Sequence, residues 1–268
     1  MKIPLGFFAI LGIVFAIFEI SAKAQNLPGS LSFTVSGSFE NAASESSNSL
    51  LISDNNLTNG YAAGMDLTDA PASLSSSGPT GSAAFQWGTP STTSNYPHSS
   101  ALWFEPISGT NISPNEYFSV GNLYYRNGTI KSNTGASAVD IALNLHFSNP
   151  SGMPDVNATF TSDLVNSPNS SDPIASADIV SLRNWASPLN YTDAQGNRYY
   201  LELTFKVDQN TMDGTLSTQD EFRVFEGDQG RAELLGRFTT SPGAMAIPEP
   251  STAILGLLGA VALFRRKR

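Results

Sequence analysis

The sequence predicts an all-β protein: a single β-sandwich of jelly-roll type over residues 25–241, flanked by an N-terminal signal helix and a short C-terminal membrane helix. Three observations carry this reading. Several stretches alternate apolar and polar residues with period two, and few show the 3.6-residue period of a helix. Turn signals such as Asn127-Gly128, Gln195-Gly196-Asn197, Asp213-Gly214 and Gly227-Asp228 punctuate those stretches. Many short strands joined by Gly- and Pro-rich connections point to two packed sheets.

The first element is residues 1–24. Lys2 supplies a positive start, Leu5 to Phe18 is uninterruptedly apolar, and Ala22 and Ala24 place small residues where a signal peptidase reads. This is the layout of a secretory signal peptide, with cleavage after Ala24 leaving Gln25 as the new terminus. The apolar run is shorter than the roughly 20 residues a membrane-spanning helix needs.

The strands follow. Leu31, Phe33 and Val35 alternate with polar neighbours, as do Val139, Ile141, Leu143, Leu145 and Phe147, and again Tyr199, Leu201, Leu203, Phe205 and Val207. Further strands are expected over Ala83–Trp87, Leu102–Phe104, Tyr117–Arg126, Ile179–Leu182 and Glu221–Phe225. Phe33, Ile141, Leu143, Leu145, Leu201, Leu203, Phe205 and Val224 form the expected core. Asn127-Gly128 is a strong hairpin signal. The Ser-rich stretches Asn41–Asn59 and Ala70–Ser82 read as long loops.

Residues 242–246 read as a linker, and residues 247–268 form the last element. Pro248, Glu249 and Pro250 precede an apolar stretch from Ala253 to Phe264, which ends on Arg265, Arg266, Lys267 and Arg268. A helix of that length rises only about 20 Å. The basic end is expected to stay on the cytoplasmic side as a membrane stop, since positive flanks set topology. Motif, short helix and basic end, in that order, closely resemble the PEP-CTERM sorting signal of Gram-negative bacteria. The resemblance implies that an exosortase processes the chain near Pro248, Glu249 and Pro250, with transient residence in the inner membrane.

The central domain carries a second resemblance. Phe85-Gln86-Trp87-Gly88-Thr89-Pro90, Ser100-Ala101-Leu102-Trp103-Phe104 and Phe118 through Tyr125 with Asn127-Gly128-Thr129-Ile130 are similar to the bacterial choice-of-anchor K family. Val139 through Phe147, Ser167-Pro168-Asn169, Asp172-Pro173, Ser176 through Val180, Tyr199–Phe205 and Glu221 continue the likeness. It implies an ectodomain attached to a surface anchor and brings no activity with it.

Composition excludes several functions. Between Gln25 and Pro250 there are eight Lys and Arg against 22 Asp and Glu, a formal charge of −14. A body this acidic is repelled by nucleic acid, whose binding requires cations on phosphates. No cysteine is present, which removes disulfides, thiol catalysis and Cys-based metal sites.

Catalytic signals are weak. The two histidines, His98 and His146, read as a loop and an outward strand position, and no G-x-S-x-G elbow occurs. Glu221, Glu226 and Asp228 are close in sequence, but Phe222 and Val224 claim the core face, leaving Glu221 toward solvent. No catalytic residue and no required cofactor is expected. Structural calcium is the one cofactor candidate, on Asp208, Asn210 and Asp213, whose spacing departs from an EF-hand loop; a second acidic stretch holds Asp172 and Asp178. Trp87 and Trp103 sit in strands and read as core, whereas Trp185 in Arg183-Asn184-Trp185-Ala186-Ser187-Pro188 is the candidate exposed ring for a ligand.

The expectation is therefore a non-enzymatic exported protein of the cell surface or extracellular matrix. It would be handled by signal peptidase and exosortase, with exopolysaccharide as a candidate partner. The alternative is a carbohydrate-binding surface module, and a glycan hydrolase comes behind it.

Overall fold

A computed structural model of the chain describes residues 25–243, except 58–63, 67–69, 72–73, 75–78, 95, 169 and 210–213. The signal and tail residues Ala22, Ala24, Pro248, Glu249, Pro250, Arg265, Arg266, Lys267 and Arg268 lie outside the described residues, as does most of the predicted linker.

Among the described residues, fifteen strands make two sheets in a sandwich-like, all-β arrangement. The eight-stranded sheet runs, edge to edge, β1 (Gln25–Asn26), β11 (Ala186–Thr192), β12 (Arg198–Phe205), β15 (Gln229–Thr239), β7 (Tyr117–Arg126), β5 (Ser100–Pro106), β4 (Ala83–Trp87) and β3 (Leu51–Asp54). The seven-stranded sheet runs β13 (Thr215–Ser217), β14 (Glu221–Val224), β10 (Asp178–Leu182), β9 (Val156–Val165), β8 (Ala136–Asn149), β2 (Leu31–Ser44) and β6 (Gly109–Ile112). Every pairing is antiparallel except that of β1 with β11.

Period-two alternation turns one row of side chains from each sheet inward. All eight predicted core residues are buried, none more than 2 % exposed. Phe33 and Phe147 from one sheet meet Phe118 and Phe238 from the other, with ring centroids 5.2–6.4 Å apart. Toward the opposite end, Phe39, Phe85, Trp87, Tyr125 and Phe222 continue the aromatic packing. Close approach of the sheets depends on missing side chains. A Cβ on Gly37 would stand 2.4 Å from the Phe104 ring, and one on Gly121 would stand 2.5 Å from the same ring.

Four sequence expectations change. Asn127-Gly128 is not a hairpin: neither residue has positive φ, and a two-residue type I′ turn requires it at both. The Asn127 amide donates to Asp228 O (2.9 Å), and its side chain donates to Val224 O (3.0 Å). The segment is thereby pinned to the turn after β14 and cannot fold back on β7. The stretch Asn41–Asn59 is not all loop, because β2 continues to Ser44 and β3 pairs with β4. Val207 lies beyond β12 and is 53 % exposed, since the chain turns outward to bridge Asp208 to Ser217. Strands β9, β11 and β15 were not anticipated, although β15 lies inside its sheet between β12 and β7.

A second apolar cluster, Leu57, Leu74, Ala84, Ala101 and Trp103, sits apart from the main core. Trp103 lies between the core residues Leu102 and Phe104, so alternation sends it to the outer face of the eight-stranded sheet. The connection between β3 and β4 supplies Leu57 and Leu74 as cover.

Candidate functional site

The outer face of the eight-stranded sheet holds a polar network beside that cluster. Arg126, the last residue of β7, is wholly buried. Its guanidinium lies 5.3 Å from the Trp103 ring centroid, an aromatic face that suits a cation. Its Nε donates to Ser99 O (3.0 Å), and a terminal nitrogen donates to Asp66 O (3.3 Å) while standing 3.7 Å from Asp66 Oδ2. The same Asp66 oxygen is hydrogen-bonded to His98 Nδ1 at 3.0 Å, and the Asp66 amide donates to the buried Gln86 Oε1 at 2.6 Å. Tyr96 packs edge-on against His98 at 4.6 Å. His98 is thus part of a fastening network, not a bare loop histidine. The adjacent Ser99 and Ser100 hydroxyls donate to Gly88 O and Gly128 O, so neither is placed as a nucleophile activated by His98.

Sheet register builds a row next to this network. Trp103 of β5 stands opposite Tyr124 of β7, which stands opposite Arg231 of β15. These three residues, with Gln229, Gly230, Ala70 and Pro71, line a cleft of about 440 Å³. Tyr124 is half-buried and Arg231 exposed. The Tyr124 hydroxyl donates to Glu105 Oε2 (2.8 Å), which also accepts from Asn122 Nδ2 (3.1 Å). Neighbouring Glu233 is paired with Lys206 Nζ at 2.8 Å.

A second cavity, of about 410 Å³, gathers Glu45, Asp178 and Glu226 with Thr129, Lys131 and Asn166. Asp178 is buried; its Oδ1 accepts from the Ser167 amide (2.7 Å) and its Oδ2 from the Tyr125 hydroxyl (3.4 Å). Burial pushes the Asp178 carboxyl up to about 7 against the Ser167 hydrogen bond that lowers it, and the charges of Glu226 and Glu45 add to the rise. The Tyr125 phenol is raised well above its ordinary value by burial and by Asp178. Glu226 accepts from Thr129 Oγ1 at 2.8 Å. Sequence reasoning passed over Asp178 as a titrating group because its strand position says nothing about which loops close above it.

The residues singled out from sequence are scattered. Asp208 is exposed beside its bridge to Ser217, while Asn210 and Asp213 lie outside the described residues. Asp172 is exposed and caps its own turn, its Oδ1 accepting from the Ile174 amide (3.0 Å), whereas Asp178 is buried and bonded elsewhere. Among the described residues no group of three His, Asp or Glu side chains converges to hold a metal ion. Trp185 is half-buried in the connection from β10 to β11, with its carbonyl accepting from the Leu203 amide (2.7 Å). Glu221 bonds Arg223 on the face opposite Phe222, as alternation predicts. His146 is exposed and hydrogen-bonded to Asp155 at 2.8 Å.

Fold and clefts together define an acidic, all-β, sandwich-like domain whose surface cavities include these two of different chemistry. No family model and no curated protein matches the chain.

Proposed function

We propose that the chain is an exported, non-enzymatic protein of the cell surface or extracellular matrix, its jelly-roll-like sandwich displayed outside and its tail processed by an exosortase. The observation that carries the reading is the pair of terminal signals. Ala22 and Ala24 follow an apolar run, and Pro248, Glu249 and Pro250 precede a short apolar stretch that ends on four cations. The described residues support it, because between Gln25 and Thr239 they form fifteen strands around one main core. The surface-anchored family resemblance points the same way.

Intact mass of the protein recovered from each fraction of its native host tests the reading. Loss of residues 1–24 together with loss of the chain beyond the Pro-Glu-Pro is the expected result. A full-length chain still carrying Met1 in the cytoplasm would overturn export. A processed N-terminus with the tail retained in the inner membrane would overturn exosortase processing.

A further inference from the structure

The cleft along Trp103, Tyr124 and Arg231 has the composition of a small-ligand site. Its volume of about 440 Å³ falls in the range of about 300–1,000 Å³ typical of such sites, which pair apolar walls with a few placed polar groups. Here Tyr124, Ala70 and Pro71 supply the accessible apolar wall, the buried Trp103 lies at its base, and Gln229 and Arg231 are the polar groups.

Both aromatic rings of the cleft are restrained before any ligand arrives. Arg126 lies over the Trp103 ring and is itself held by Ser99 and Asp66. Glu105 accepts from the Tyr124 hydroxyl, so the tip of that ring is restrained. Preorganised aromatic surface lowers the ordering cost of binding.

Charge selects among ligands. Glu105 is engaged by two donors and Glu233 by Lys206, whereas Arg231 is exposed and forms no ion pair among the described residues. A guanidinium is suited to a planar carboxylate, which it can grip with two parallel N–H donors. The partly exposed Tyr124 ring suits the C–H face of a sugar ring, whose hydroxyls can meet Gln229. The acidic body opposes an extended polyanion, so the fitting ligand carries one carboxylate at the end of its chain.

We propose that this cleft binds a terminal uronate, a pyranose with one carboxylate, its ring against Tyr124 and Pro71 and its carboxylate on Arg231. The proposal deepens the surface-protein reading by assigning a glycan class and a site. Its test uses purified protein, so the result does not depend on where the cell sends the chain.

The experiment is calorimetric titration of the detergent-purified full-length protein with cellobiouronate and with cellobiose, which differ only in the oxidation of one C6. Cellobiouronate is expected to bind at least tenfold more tightly. Arg231→Gln, at an exposed position, is expected to remove that preference by lowering the uronate affinity about tenfold, in line with loss of a charge-assisted hydrogen bond. Arg198→Gln, the same change at another exposed arginine, is expected to leave binding unchanged. Absence of cellobiouronate binding at millimolar concentration, equal affinity for cellobiose, persistence of the preference in Arg231→Gln, or loss of binding in Arg198→Gln would each overturn the assignment.

Discussion

The Tyr125 hydroxyl, carried by the eight-stranded sheet, donates to the buried Asp178 carboxylate of the seven-stranded sheet at 3.4 Å. The bond crosses the interface between the sheets at the wall of the acidic cavity, where Glu45 and Glu226 face the same space.

Asp178 makes stability depend on pH. Its folded value of about 7 lies above the ordinary 3.8, so the folded state holds this proton more tightly than the unfolded state. The resulting stabilisation is complete below about pH 4 and lost as pH rises through about 7. Asp178→Asn is expected to raise the melting temperature at pH 8 relative to the parent and to lose that advantage at pH 5. Melting curves at the two pH values check this, and an unchanged difference between them would contradict it.

Gly37 and Gly121 are expected to reject even alanine. Each Cβ would stand within 2.5 Å of Phe104 ring atoms, and overpacking of a filled core costs about 1–3 kcal/mol. Gly152→Ala is the comparison for crowding, since its Cβ would meet nothing within 4 Å, although its φ of +80° adds backbone strain. Denaturant unfolding of Gly37→Ala and Gly121→Ala should show a lower midpoint with an unchanged slope.

Gly128 is constrained differently. Its φ is not in the left-handed region, yet a Cβ would stand 2.2 Å from the His98 carbonyl oxygen. Backbone cannot give way as a flexible side chain can. Gly128→Ala should therefore destabilise by more than about 1 kcal/mol and should expose the segment around His98 to faster amide exchange, read by mass spectrometry.

Arg126 fastens the connection between β3 and β4. Arg126→Met removes the donor to Asp66 O and leaves the Asp66 carboxylate with one charged partner fewer. The Asp66 side chain is 28 % exposed and keeps its His98 hydrogen bond, so the cost is expected to fall below the value for a fully buried pair, about 3–5 kcal/mol. Limited proteolysis should cut earlier near Asp66 and Leu74 in the variant, while cleavage rates in β8 and β9 change only in step with global stability.

Strands with one wet face were the most legible in the sequence. β8 shows its burial directly, since Val139 through Phe147 alternate with Asp140, Ala142, Asn144 and His146, and the inward set is buried. β15 was harder to see because Gly230 and Gly236 interrupt its inward row and Arg231, Glu233 and Arg237 fill the outward one. Those glycines are packing devices: a Cβ on Gly236 would meet Val120 and Phe118 within 3 Å. Trp103 was legible as buried but not as an outer-face residue, because its cover comes from Leu57 and Leu74 in a connection with no strand pattern. Trp185 was read as the exposed ring from its local context alone, and the structure leaves it half-buried.

The sequence by itself determined the all-β class, the inward rows of β2, β8 and β12, and the acidity of the body. Each of these depends on residue order at short range, through side-chain alternation and charge count. Only the tertiary structure decided that Trp103, Tyr124 and Arg231 form one row and that Glu45, Asp178 and Glu226 share one cavity. Strand order and register are long-range properties. The 21 residues from Trp103 to Tyr124 and the 107 from Tyr124 to Arg231 are brought together by hydrogen-bonded pairing of three strands, which no local pattern encodes.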